Sequence, residues 1–215
     1  MKEHSNQVSY VIWLSVVASL GGFLFGYDTA VISGTVDQVS VQFRLDDITR
    51  GWYVGCALAG SIAGVMAAGS LSDRFGRKIV MILSAVLFTF SGIGCMIAAD
   101  EVQLVIARIL GGIGIGVASV ISPLYIAEIL VPSYRGRLVS MYQLAITVGF
   151  LGAYLANYGL LQYSESLMRS GEVTGLYGKV FATEVWRGML GMEAVPALVF
   201  FRLIPLLSLL QNRAR

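Results

Sequence analysis

The sequence predicts an all-α integral membrane protein, a single bundle of six transmembrane helices. Three observations predict it. The 215 residues are 56% hydrophobic and only 13% charged, about half the ~25% charge of soluble domains, and the mean hydropathy is +0.76. A soluble domain of this length has too little interior to hide so much apolar surface. Six apolar runs each approach the ~20 residues needed to cross about 30 Å of hydrocarbon, and the connections between them alternate in charge.

The first run, Val8–Ser33, follows the polar start MKEHSNQ. It is too long for a secretory signal and lacks a small-residue cleavage site, so it reads as a retained anchor. The others are Trp52–Leu71, Ile79–Ala99, Val102–Ile126, Leu138–Leu161 and Val185–Leu207. Their many glycines suit membrane helices, where small residues let backbones approach. Small-xxx-small spacing recurs as Gly22/Gly26, Gly60/Gly64 and Gly112/Gly116, which predicts tight helix–helix packing. The stretch GGFLFGYDTAVIS from Gly21 is echoed by GGIGIGVASVIS from Gly111, ninety positions later. That echo fits a 3+3 repeat, spans 1–3 against spans 4–6, an arrangement common in transporters.

Arg74, Arg77 and Lys78 follow span 2, Arg135 and Arg137 follow span 4, and Arg213 and Arg215 lie at the chain end. The intervening loops are richer in acids, with Asp37, Asp46, Asp47, Asp100, Glu101, Glu165, Glu172 and Glu184. Positive loops stay cytoplasmic, so both termini are expected inside, in a multi-pass protein of the inner (cytoplasmic) membrane. The net charge of +2, with basic residues in short clusters, argues against nucleic acid as a partner. Cys56 and Cys95 fall inside apolar runs and read as buried free thiols. No spacing suggests a metal site, a nucleophilic triad or a nucleotide-binding loop, so an enzyme is not expected.

Charges inside the apolar runs demand a reason. Asp28 is the only formal charge between Val8 and Val36. At 1.5 Å per residue it lies roughly 13 Å from the outer face, Arg108 in span 4 roughly 12 Å, and Glu193 in span 6 roughly 9 Å. A lone charge at depth costs at least ~2.5–3.5 kcal/mol, so such groups face an interior and pair. One reading is a buried ion pair that locks the bundle. The other is a proton-coupling site, because burial and a neighbouring guanidinium act on a carboxyl group in opposite senses, and arginine stays charged throughout.

Four stretches carry a resemblance: GGFLFGYDTAVISG in span 1, GSLSDRFGRK at Gly69–Lys78, RILGGIGIGVASVISPLYIAEILVPSYRGRL at Arg108–Leu138, and MYQLAITVG at Met141–Gly149 followed by MEAVPALVFF at Met192–Phe201. Together the chain resembles the sugar-porter branch of the major facilitator superfamily, and within it the bacterial xylose–proton symporters. The resemblance implies the N-terminal half of that fold, with a 3+3 inverted repeat. It implies that Asp28, Arg108 and Glu193 handle the coupling proton and that Phe25 and Gln143 contact the sugar. Asp73, Arg74, Arg77, Glu128 and Arg135 would form a cytoplasmic salt-bridge latch. The implied partners are a monosaccharide and the lipid bilayer, with the proton as coupling ion and no cofactor.

The family is about twice as long, with twelve spans. Residues 1–207 are expected to form the six-span bundle and 208–215 a short basic cytoplasmic tail, with Arg202 onward reading as non-family sequence after a frame change or stop. Phe150 replaces a small or polar residue often found in the family. Two functional classes stay open: one half of a proton-coupled or passive sugar porter, completed by a separately encoded C-terminal half, and a truncated, transport-inactive remnant. A drug or organic-acid substrate fits less well, because generic superfamily members usually share the Gly69–Lys78 motif but not the Arg108–Leu138 stretch.

Overall fold

A computed structural model describes residues 2–129, 132–170 and 175–213. Side chains are described between Val16 and Pro205, with gaps that include Arg135. Six long helical segments form one bundle. They are α1 (Lys2–Phe43), α2 (Asp47–Phe75), α3 (Arg77–Ile97), α4 (Glu101–Ile129), α5 (Pro132–Ser170), and a sixth span built from α7 (Val185–Gly191) and α8 (Ala194–Arg213). Between α5 and α7 lie a single helical turn, α6 (Gly175–Gly178), and a π-helical turn at Lys179–Thr183. Among the described residues there is no strand. Spans 2 to 6 are each long and apolar enough to cross a membrane, and α1 is the longest helix, at 42 residues.

The helices start and stop where local chemistry dictates. The Asp46 side chain accepts from the Thr49 amide at 2.9 Å and from the Thr49 hydroxyl, which caps α2 and satisfies an otherwise orphaned donor. At the other end Gly76 has φ +84°, and its amide donates to Ser72 O at 2.9 Å. Glycine is the residue that takes this conformation freely, so α3 can begin at the very next position. Most helices overrun the predicted spans by a few residues, and two do so by more. α1 continues ten residues past Ser33 and α5 nine past Leu161, because the hydrophobic run ends there without a helix breaker.

Pairing follows the repeat expected from the sequence. α1 packs on α5, and α4 packs on α2. A Cβ on Gly22 or Gly26 would meet the carbonyls of Tyr142 or Ile146 on α5 at 2.7 and 2.0 Å. Ninety residues on, a Cβ on Gly112 or Gly116 would meet the carbonyls of Ala57 or Ser61 on α2, each at 2.1 Å. The reciprocal contacts match as well. Gly149 faces Phe23 O, and Gly64 faces Ile113 O, again ninety residues from Phe23. The two glycine-lined clasps are therefore the same clasp used twice.

Two apolar layers make up the core. One gathers Leu24, Met81, Phe88, Ile115, Ile121 and Phe200; the other gathers Val31, Tyr53, Leu104, Trp186, Met189 and Leu190. Large apolar side chains such as Ile62, Met66, Phe90 and Leu155 project outward, 62–79% exposed, as a lipid-facing surface requires.

Candidate functional site

The three intramembrane charges meet at the seam between these layers. On α1, Asp28 lies between Leu24 of one layer and Val31 of the other; on α4, Arg108 lies between Ala107 and Ile115; in the sixth span, Glu193 lies between Leu190 and Ala197. Arg108 is 3% exposed and Glu193 1%. Arg108 Nη2 stands 3.6 Å from Asp28 Oδ1, longer than the 2.7–2.9 Å of a tight charge-assisted hydrogen bond. Asp28 and Glu193 are near enough for their carboxyl groups to interact electrostatically, and both face Arg108. Arg108 Nε and Glu193 Oε1 are buried without a hydrogen-bond partner from the protein. Two acids and one base thus share a site whose formal charge is −1 with both acids ionised, and one proton would neutralise it.

Glu193 owes its position to a break. The sequence predicts one continuous sixth span, whereas the structure divides it at Met192–Glu193. Met192 donates back to Gly188 O at 2.9 Å and Glu193 to Leu190 O at 3.2 Å, closing α7 before α8 starts. Pro196 follows in the first turn of α8, where its missing N–H costs nothing. The outer half of the span is pinned from above. Trp186 donates its indole N–H to Gln42 Oε1 at 2.7 Å and its amide to Gln38 Oε1 at 3.1 Å. Arg187 stacks over the Trp186 ring at 4.4 Å, pairs with Glu184, and donates to the carbonyls of Met96 (3.1 Å) and Ala98 at the end of α3.

A cavity of about 110 Å³ opens beside the charges. Phe25, Asp28, Thr29, Arg108 and Ser61 are among its lining. Phe25 and the charge pair therefore line one cavity. Gln143 is not part of this cavity; it lies exposed on α5.

At the far end of α2 and α4 the structure assembles three of the five residues expected to form a salt-bridge latch. Arg77 Nη1 contacts Asp73 Oδ1 at 2.9 Å, and its Nε and Nη2 both reach Glu128 Oε1, at 3.2 and 3.0 Å. The guanidinium ties α3 to α2 and α4 with the fork geometry that suits carboxylates. Arg74 stands apart, stacked over the neighbouring Phe75 ring at 5.6 Å. The Arg135 side chain lies outside the described residues.

Four participants were not singled out from sequence. Tyr53 on α2 is wholly buried, and its hydroxyl shares a 2.9 Å hydrogen bond with Thr35 on α1. Its ring lies 5.7 Å from the Arg108 guanidinium carbon, within cation–π range. Asn157 on α5 donates to Val31 O at 3.2 Å, which fixes α5 against α1 just above Asp28. Arg187 marks the outer boundary of span 6 in the sequence, yet it is buried.

The comparisons with known proteins bear on the family and the fold. The family model described as "Sugar (and other) transporter" matches residues 14–208. The chain belongs to the sugar transporter family. It is 44% identical over 193 residues to the glucose transport protein of Synechocystis sp., a match covering 90% of this chain and 40% of that one. It is 39% identical over 222 residues to the D-xylose-proton symporter of Escherichia coli, covering 91% and 43% respectively. Among solved structures, the proton:xylose symporter XylE bound to 6-bromo-6-deoxy-D-glucose superposes with a TM-score of 0.80 at 38% identity, over 92% of this chain and 44% of that one. The six-helix bundle therefore shares the fold of the matching part of that major facilitator protein, and the chain is a multi-pass membrane protein. The chain spans about two fifths of the length of the curated relatives it matches.

Proposed function

We propose that this chain is the N-terminal half of a proton-coupled monosaccharide symporter of the inner membrane. Both termini face the cytoplasm, and a separately supplied C-terminal half completes the sugar path. The observation that carries the reading is the buried Asp28–Arg108 pair, with Glu193 near Asp28 and Phe25 sharing its cavity. When Asp28 takes a proton, Arg108 loses the charge that holds it; when the proton leaves, the pair re-forms. A helix arrangement that favours one state over the other couples proton movement to shape. Phe25 offers an aromatic face to the C–H side of a pyranose. Gln143, exposed on α5, offers an amide that both donates to and accepts from sugar hydroxyls across the interface with the second half. The Asp73–Arg77–Glu128 cluster latches the cytoplasmic ends.

The test is uptake of labelled pentose and hexose into proteoliposomes under an imposed pH gradient. The chain is reconstituted alone and with a complementing C-terminal half. Alone it should move no sugar, because a rocking-bundle transporter needs both walls. With its complement it should concentrate sugar, and Asp28→Asn should abolish accumulation while sugar binding persists. Accumulation by the Asp28→Asn protein would make Asp28 a structural residue and end the symport reading.

A further inference from the structure

We propose that Tyr53, anchored by Thr35, is the second seat of the Arg108 guanidinium, the one it keeps when Asp28 is neutral. This makes Tyr53 a positioning residue for the coupling step, and the proposal rests on the proton-exchange reading of Asp28. Three features of the geometry point to it. The first is the anchoring: the Tyr53 and Thr35 side chains are both fully buried and joined by a 2.9 Å hydrogen bond between α1 and α2. With its hydroxyl tied, the phenol ring has a fixed orientation.

The second is the shared hold on Arg108. Its guanidinium carbon lies 5.7 Å from the Tyr53 ring centroid, inside the roughly 6 Å over which an aromatic face attracts a cation. Its contact with Asp28 is long, at 3.6 Å. Its Nε has no hydrogen-bond partner from the protein. A guanidinium committed to a carboxylate would show the short, forked contact of Arg77 at the cytoplasmic end. Arg108 instead stands between a carboxylate and a ring.

The third is the surroundings. The titratable groups that face Arg108 are Asp28 from α1, Tyr53 and Cys56 from α2, Cys95 from α3 and Glu193 from the break before α8. Among the described residues Asp28 is the one acid within ion-pair distance. When it is neutralised, a desolvated cation left without a near partner would oppose the change. The Tyr53 ring supplies a partner that cannot be titrated away, because a ring face attracts the cation whatever the pH. Arg108 therefore stays at its level in the membrane, ready to re-form the pair.

The experiment uses the 215-residue chain in lipid nanodiscs with labelled arginine. The Nε–H resonance of Arg108 is assigned by its loss in Arg108→Lys. Asp28→Asn mimics the neutral acid. The expected result is that Arg108 in Asp28→Asn keeps a ring-shifted Nε–H and hindered guanidinium rotation. Both should weaken when Tyr53→Phe is added, because the tether to Thr35 is cut while the ring remains, and be lost when Tyr53→Leu is added. Should the Leu double variant not fold, Thr35→Val in the Asp28→Asn background gives the second arm: cutting the tether should reduce the ring shift. The proposal is overturned if Arg108 in Asp28→Asn already rotates freely at the unshifted position, or if neither Tyr53→Leu nor Thr35→Val moves its signal. None of these readouts needs transport, so a failed uptake assay and a failed Arg108 assay are separate outcomes.

Discussion

Alanine at Gly116 or Gly26 tests the doubled clasp, and the sign of the effect is the readout. A Cβ at Gly116 would sit 2.1 Å from Ser61 O, and one at Gly26 would sit 2.0 Å from Ile146 O. Both obstacles are backbone on a neighbouring helix, so no side chain can rotate away. To restore van der Waals contact each helix pair must part by about 1 Å. Such overpacking costs about 1–3 kcal/mol. Alanine in a helix interior returns about 0.5–1 kcal/mol relative to glycine. The net expectation is a destabilisation of about 0–2.5 kcal/mol at either site. Gly159 on α5 is the control, because a Cβ there meets nothing within 4 Å; Gly159→Ala should stabilise by about 0.5–1 kcal/mol. Denaturant titration of the detergent-solubilised chain, followed by far-ultraviolet circular dichroism, measures all three. If Gly116→Ala or Gly26→Ala stabilised the chain as Gly159→Ala does, or if the two clasp variants differed in sign, the paired close approach would be wrong.

Arg77→Ala removes a partly exposed ion cluster, with side chains 27%, 75% and 43% exposed. It should therefore cost under about 1 kcal/mol by the same titration; a loss above about 2 kcal/mol would mean the latch is a structural staple. The Thr49 hydroxyl and amide hold the Asp46 carboxyl below the usual carboxylate range. A lowered folded-state value means the cap stabilises fully above the ordinary carboxylate pKa and fades as pH falls through the folded one. Hydrogen exchange at the Thr49 amide, corrected for intrinsic rate, should lose protection on acidification through that window, and constant protection would sink the cap. Membrane-impermeant thiol labelling of Arg74→Cys and Ser166→Cys should mark opposite faces; both on one face would break the proposed topology.

The bundle was legible because spans 2 and 3 are uninterrupted apolar text bounded by charge and span 4 is broken by Arg108 alone, and lipid leaves a chain little choice but helix there. The limits of α1 and α5 were not, since Val36–Phe43 and Gln162–Ser170 hold no proline that would end a helix. Asp28, Arg108 and Glu193 could be placed at similar depth by counting residues. Their convergence depends on helix rotation, which counting does not supply. The division at Met192 had a signal that periodicity passes over: Gly188 and Gly191 precede it, and Pro196 falls where a new helix takes its first turn. Tyr53 and Thr35 carry no sequence mark, because their contact exists only through the register of α1 against α2. Arg187 was read as a boundary charge, since a sequence gives no hint that the carbonyls ending α3 would receive it.

The pinned, divided sixth span bears on how the molecule is made. Arg187 and Glu193 stand six residues apart in a segment of only modest hydropathy, and each charge adds about 2.5–3.5 kcal/mol to the cost of entering lipid alone. The cost falls when Arg187 meets the carbonyls at the end of α3 and when Glu193 joins Asp28 and Arg108 from α1 and α4. Those helices are synthesised first. The last span is thus a guest of an assembly already in the membrane, and its integration doubles as a check that the earlier helices have found their places.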